Sequence, residues 1–338
     1  MATAPLVVVP PAALAQVPER DGPSATAVVW KRLVAAPAGA PALDGHTDTV
    51  PDIVGRLGAP IGLAIFTEGN HFPALFGGEI IEPFRTWARA QAQYAGLALD
   101  NIVVVTLPQP MIVGMLLGGG LALGNLTIEV SRAGGFYPDI VMGGAAPLTQ
   151  LRRASRVEAE ARIFARNRGL SLLVAAGNPL HVESLDDLAR GTLRVVMASE
   201  SEPGARRQYI SALEGLIGQE PTKSILARET VTFAGRLGIQ HRDVLQAIAG
   251  GDADVGIIVH HLARYFAATY PELCAMVAVL GAEKYYSTIA MAETVDPLRA
   301  PAAKAFSEFF LGVAREVYPH YGFAAMSEAE YGATIRLE

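Results

Sequence analysis

An α/β fold of sheets flanked by helices is predicted by three features of the 338-residue chain. Continuous apolar runs of buried-strand length recur, among them Ile61–Phe66 and Asn101–Thr106. A polar or Pro/Gly-bearing turn follows each run. Apolar residues at helical spacing come next, as at Phe76, Ile80, Phe84 and Trp87. Such alternation predicts mostly parallel sheets, with ligand sites outside the carboxyl ends of the strands.

Taken in order, residues 1–60 read as an arm with short helical pieces at Ala27–Val34 and Val50–Leu57, separated by Pro and Gly. Ala13-Leu14-Ala15 looks like a signal-peptidase site, but no basic segment precedes it and Pro10-Pro11 breaks the apolar run. After the first strand, Thr67–His71 is a polar turn. After the second, Leu107-Pro108-Gln109-Pro110 leads into a helix over Met111–Leu117, which Gly118-Gly119-Gly120 stops. Pro138–Gly144 is a third strand. Further strands are expected at Leu172–Ala175, Thr192–Ala198, Val255–Val259, Ala275–Leu280 and Tyr286–Met291. Helices are expected at Ser184–Ala189, Gly204–Leu216, His241–Ala249, His261–Thr269 and Pro301–Tyr318. The first of these opens on Ser184 with Asp187 three residues on, a variant of the capping box.

Composition narrows the function classes. A net charge of −6 leaves no basic stripe for phosphate backbones, so nucleic acid is not an expected partner. No apolar run reaches the roughly 18–20 residues of a membrane span, and the chain reads as not membrane-embedded. The single cysteine, Cys274, supports neither an internal disulfide nor a thiolate metal cluster. No phosphate-loop or nucleophile-elbow pattern is present, and no cofactor is expected.

Four loops join a strand to a helix: Thr67–His71, Leu107–Pro110, Ser199–Gly204 and Val259–His261. Helix N-termini offer open N–H groups and partial positive charge, so several around one cleft can hold an anion without lysine. Taken singly, each reads more readily as an ordinary capping loop of an α/β fold. Glu68, His71, Glu200, Glu202, His260 and His261 add groups suited to ligand binding, metal ligation or proton transfer. If His260 and His261 were on a strand, only one of them would face a cleft.

Four phrases in fixed order carry a family resemblance: Phe164–Pro179, Ser184–Ala189, Ser199–Arg207 and Val244–Ile257. With Pro138-Asp139 before them and Ala305–Phe310 and Tyr321-Gly322-Phe323 after, they resemble the type II periplasmic substrate-binding proteins of ABC transporters, especially the molybdate/tungstate branch. The resemblance covers residues 60 to 325. It implies two α/β lobes around a cleft: 61–165 with 281–338 as one, 166–280 as the other. It also implies a small-molecule ligand, an ABC permease as partner and a periplasmic location, with a cytoplasmic one if the N-terminal segment is no export signal. The ligand loops it points to supply Thr67, Glu68, Gly69, Asn70, His71, Gln109, Pro110, Met111, Ser199, Glu200, Gly204, His260 and His261. Apart from the resemblance, Tyr286 at a strand start could close over a ligand or pack in the core, and His71 and His260 are metal candidates by residue type. Two departures stand out. Thr67–His71 and Leu107–Pro110 replace the small hydroxyl and alanine residues of molybdate binders, and Leu121–Tyr137, with Asn125, Thr127 and Arg132, looks inserted. These departures point away from molybdate itself, and the expected ligand is a small polar, anionic solute, a molybdate/tungstate-like oxyanion or a small carboxylate. The alternative is an enzyme or a ligand or metal sensor on the same fold, using Glu68 and histidines.

Overall fold

The computed structural model describes residues 52–77, 79–123, 126–200, 202–231 and 239–338. The expected helix at Ala27–Val34, the signal-like segment and Asn125 lie outside the described residues.

One sheet gathers strands from both ends of the chain. These are β1 (Asp52–Val54), β2 (Leu63–Thr67), β3 (Ile102–Thr106), β6 (Ile140–Gly143), β7 (Glu160–Arg166), β12 (Thr288–Glu293) and β13 (Thr334–Arg336), in the order β1-β3-β2-β6-β12-β7-β13. A hairpin of β4 (Gly120–Leu123) and β5 (Leu126–Glu129) forms the apparent insertion. The second sheet is built from β8 (Leu170–Ala175), β9 (Val195–Met197), β10 (Val255–Val259) and β11 (Cys274–Ala278), in the order β11-β8-β10-β9. Strands β2, β3, β6 and β10 are buried along their whole length, which is why they read as unbroken apolar runs.

The helices are α1 (Phe72–Phe76), α2 (Ile81–Ala90), α3 (Gln109–Gly118), α4 (Ala145–Arg153), α5 (Leu185–Arg190), α6 (Pro203–Ile217), α7 (Gln219–Leu226), α8 (His241–Gly250), α9 (His260–Thr269) and α10 (Ala300–His320). Helices α1, α2 and α10 cover one face of the first sheet and α3 and α4 the other, giving two apolar cores, one around Phe84, Phe164, Phe306 and Phe310 and one around Phe66, Val105, Leu116 and Leu148. The second sheet has its own core around Leu172, Tyr209, Leu245, Ile257 and Phe266.

Both sheets are mixed, with more antiparallel pairing than the strand–helix alternation predicts. β2 runs parallel to β3 and β6, and β9 to β10. The returning strand β12 is antiparallel to both β6 and β7, and β8 to both β10 and β11. A second difference concerns Val50–Leu57. Asp52–Val54 is no helical turn but a strand registered against Val104–Thr106. Its β-branched Ile53 and Val54 suit the open edge of β3, and Gly55 at φ 100° turns the chain away.

The chain passes between the sheets where β7 leads to β8 and where β11 leads back to β12. Asn167 ties the two crossings together. Its Nδ2 donates to Ser287 Oγ (2.7 Å), and its Oδ1 accepts from the Ser287 N–H (3.0 Å). Gln208 Nε2 on α6 donates to the Tyr285 carbonyl at 2.6 Å and reaches Asn167 Oδ1 at 3.2 Å. Gly169 sits between the crossings at φ 72°, and a Cβ there would stand 1.9 Å from the Ala282 carbonyl oxygen. Gly169→Ala therefore combines left-handed backbone strain with a backbone collision. It is expected to lower unfolding free energy by about 2 kcal/mol or more, read as a lower urea midpoint at unchanged m-value. An unchanged midpoint would show that the crossings give way freely.

Candidate functional site

Loops from both sheets meet at one cleft. Glu68, Gly69 and Asn70 follow β2, and Pro108 stands at the entry to α3. Facing them are Glu202 at the entry to α6, His241 and Arg242 at the start of α8, and Leu262 in α9. The open space between them is about 330 Å³, solvent-facing volume included. The N-termini of α3, α6, α8 and α9 lie around it, capped by Pro108, Glu202, Gln240 and Val259.

Hydrogen bonds hold the second wall. Glu202 Oε2 lies 2.8 Å from His241 Nδ1, and Oε1 accepts from the His241 backbone N–H at 3.2 Å. His241 Nε2 lies 2.7 Å from the Tyr209 hydroxyl, which accepts from the Val259 N–H at 3.0 Å. Burial first, and then the field of Glu202, push the Tyr209 phenol well above its usual range, so it keeps its proton. This chain of contacts holds the imidazole in place and docks the start of α8 against the start of α9.

On the first wall, Asn70 Nδ2 donates to Glu68 Oε2 at 3.0 Å. That bond sets the amide orientation and leaves Asn70 Oδ1 buried with no hydrogen-bond partner. His71 Nε2 lies 3.8 Å from the same carboxylate oxygen. The ring is otherwise enclosed by Phe164, Tyr318 and Phe323, with centroids at 5.6, 5.7 and 5.5 Å. Burial pushes its pKa down to about 3. His261, from α9 on the other sheet, stacks on Phe323 at 4.0 Å, and burial, with His71 nearby, holds it well below the imidazole range. Neither ring has a hydrogen bond at either nitrogen. Two neutral histidines, one from each lobe, thus pack on a single phenylalanine.

The structure brings Glu68, Gly69 and Asn70 to the cleft, and the other residues of the expected ligand set are not among those that line it. Thr67 is buried, its hydroxyl without a partner. Gln109 is packed against Gly143, where an added Cβ would meet its Nε2 at 2.1 Å. Pro110 is exposed, and Met111 packs on the core. Ser199 Oγ accepts from the Ile239 N–H at 2.9 Å. Glu200 is exposed and pairs with Arg206 at 3.0 Å, and Gly204 is exposed in the first turn of α6. His260 and His261 open a helix and not a strand, so their rings do not point to opposite sides: His261 is buried, while His260 Nδ1 lies 2.9 Å from Ser171 Oγ. Tyr286 precedes β12, exposed beneath the Arg166 guanidinium at 4.7 Å. Arg132 lies over the Tyr137 ring and donates to the Val295 carbonyl. Among the described residues, no group of three or more His, Cys, Asp or Glu side chains forms a metal-ligand set.

His241 and Arg242 were not foreseen as cleft residues. The available signal was Gln240 with Asp243 three residues on, whose carboxylate accepts from the Gln240 N–H at 3.0 Å and opens the amphipathic α8.

Comparison with known proteins places this architecture. Among solved structures, the substrate-binding protein of an ABC transporter from Agrobacterium tumefaciens aligns over 82% of this chain and 84% of its own, with TM-score 0.57 and 12% identity. The sulfate-binding protein SubI from Mycobacterium tuberculosis H37Rv aligns over 80% and 88%, with TM-score 0.56 and 16% identity. Iron-bound HitA from Pseudomonas aeruginosa aligns over 81% and 89%, with TM-score 0.52 and 14% identity. At these identities the likeness is one of fold, and it spans proteins described with an anion and with a metal. No curated protein matches the sequence. The family described as bacterial extracellular solute-binding protein matches residues 118–324, more than half of the chain. With two α/β sheets closing on one cleft, the chain belongs to the bacterial extracellular solute-binding protein family.

Proposed function

We propose that the protein binds a small polar, anionic solute between its lobes and delivers it to the permease of an ABC importer. The observation that carries this reading is a cleft lined from both sheets by loops that precede helices. The lobes are 61–165 with 281–338, and 166–280, and closure turns on the crossings at Asn167 and Ser287. Glu68, Gly69 and Asn70 meet the solute from one side and His241 and Arg242 from the other, while the remaining residues of the four loops shape the walls.

The partial positive charge at four helix starts around the cleft, which Arg242 also lines, favours an anion. Glu68 and Glu202 disfavour a compact dianion of the molybdate or sulfate kind, because like charges in a closed cleft repel. A small carboxylate fits better. A solute present at about 100 times its Kd should add about 2.7 kcal/mol of stability, or about 4 °C of melting temperature for a chain of this size. Thermal melts with acetate, succinate, sulfate and molybdate test this, with an organic acid giving the larger shift. If no acid or oxyanion moves the transition, the anionic reading fails.

A further inference from the structure

We infer that the solute carries an uncharged hydrogen-bond donor beside its acid group, a hydroxyl or a carboxamide N–H, and that Asn70 Oδ1 accepts it and so sets the specificity of the cleft. This rests on the cleft being the site of an acidic solute.

The Thr67–His71 turn concentrates buried polar atoms that nothing satisfies. Thr67 Oγ1, Asn70 Oδ1 and both ring nitrogens of His71 have no hydrogen-bond partner. They differ in what can reach them. Thr67 and His71 are fully buried, and His71 is shut in by Phe164, Tyr318 and Phe323. Asn70 is half-buried and lines the cleft. Of the three side chains, only Asn70 borders the space that a solute would fill.

A neighbour fixes the chemistry of that oxygen. Asn70 Nδ2 donates to Glu68 Oε2 at 3.0 Å, and a carboxylate only accepts, so the amide cannot turn over without setting oxygen against oxygen. Oδ1 is an acceptor, and a buried acceptor without a donor is unfavourable. A solute O–H or N–H removes that defect, whereas an ether, a ketone or a methyl group does not. The donor is uncharged because the carboxylates of the cleft are already engaged. Glu68 holds the Asn70 amide, and Glu202 holds the ring and the backbone N–H of His241. An ammonium would bring a full charge to a neutral amide oxygen, among helix starts that carry partial positive charge themselves.

Isothermal titration with matched acids tests the inference: 3-hydroxypropionate against propionate, 4-hydroxybutyrate against butyrate, and succinamate against levulinate, in which a methyl group replaces the amide nitrogen. A further acid, 3-methoxypropionate, keeps the oxygen of 3-hydroxypropionate and removes its donor hydrogen. In at least one pair the donor-bearing member is expected to bind about tenfold more tightly or better, the scale of leaving a buried acceptor unpaired. Asn70→Ala, checked for an unchanged ligand-free melting transition, is expected to bring that preference to within about twofold. If that variant does not fold, Asn70→Ser, whose shorter side chain withdraws the acceptor, takes its place. Equal binding of the donor-free members, 3-methoxypropionate included, overturns the donor and leaves the acid-binding reading standing. So does binding of sulfate or molybdate with no member of any pair. A preference that survives the loss of the Asn70 amide overturns the role given to Asn70. If no acid and no oxyanion binds, this inference and the anionic-solute reading fall together.

Discussion

Between pH 7 and pH 5 the protein is expected to lose about 2 kcal/mol of unfolding free energy through His71, with a further loss of the same sign through His261. Burial holds His71 near 3 in the folded chain, against 6.5 when unfolded, and His261 shifts in the same direction. Between those values the unfolded chain binds protons that the folded chain refuses. Stability is therefore fully present above about pH 6.5 and falls as pH drops toward 3, by about 1.4 kcal/mol per unit for His71, with His261 adding to the fall. The slope is steep because neither imidazole nitrogen has a partner to share a charge, and the nearest carboxylate oxygen to His71, on Glu68, is 3.8 Å away. His260, also held low by burial, adds a smaller contribution of the same sign. Chemical denaturation in half-unit steps from pH 7 to 5 measures the slope in a range where most carboxylates stay ionised. His71→Phe keeps the aromatic contacts with Phe164 and Phe323 and removes the proton site, and should flatten the slope by about 1.4 kcal/mol per unit. An unchanged slope in both His71→Phe and His261→Phe would mean that the rings are solvated and that Phe323 is not clasped from both lobes.

How much of this was legible in the sequence depended on whether an element carried its own signal. Leu63–Thr67 and Ile102–Thr106 are buried on both faces, so composition alone marks them as strands. Asp52–Val54 is three residues on an edge, too short to show a period, and only pairing with β3 makes it a strand. The same holds for Thr334–Arg336, which is placed by β7. At the cleft, strand-to-helix junctions can be read from sequence because a polar or proline turn interrupts two apolar patterns. Which side chains line it could not be read in the same way. Glu202 meets His241 across 39 positions of sequence, and Tyr209 meets Val259 across 50. Those pairings exist only once α6, α8 and α9 have docked on the second sheet. Histidine gave the opposite difficulty. His71 and His261 looked like ligand groups by residue type, and their aromatic enclosure appears only when Phe323, far along the chain, packs between the lobes.

Asp139→Ala is expected to destabilise the protein by about 3–5 kcal/mol, the largest loss from a single substitution outside the cleft. Pro138-Asp139 carried part of the family resemblance, and the structure shows a physical task for it. Asp139 is fully buried. Its Oδ2 accepts from the Ala64 N–H on β2 (2.8 Å) and from Arg299 Nη1 (3.0 Å), and its Oδ1 accepts from the Arg299 N–H (3.0 Å). Burial pushes the carboxyl pKa up, and Arg299 with these N–H donors pulls against it, so the ionised pair stands only while both partners remain. Arg299 in turn reaches the carbonyls of Ile61, Tyr137 and Gly135, joining the loop before β2, the loop before β6 and the start of α10. Removing Asp139 leaves a guanidinium that is mostly buried, with no carboxylate beside it and the Ala64 N–H unpaired. Arg299→Ala leaves the reverse, a buried carboxylate with one backbone donor on each oxygen. Once either member is gone, the other has less to lose. The double variant should therefore cost clearly less than the sum of the singles, with a coupling of about 2 kcal/mol. Urea denaturation of the four proteins gives that number directly. Additive losses would show that Asp139 and Arg299 act separately, Asp139 on the β2 backbone and Arg299 on its three carbonyls.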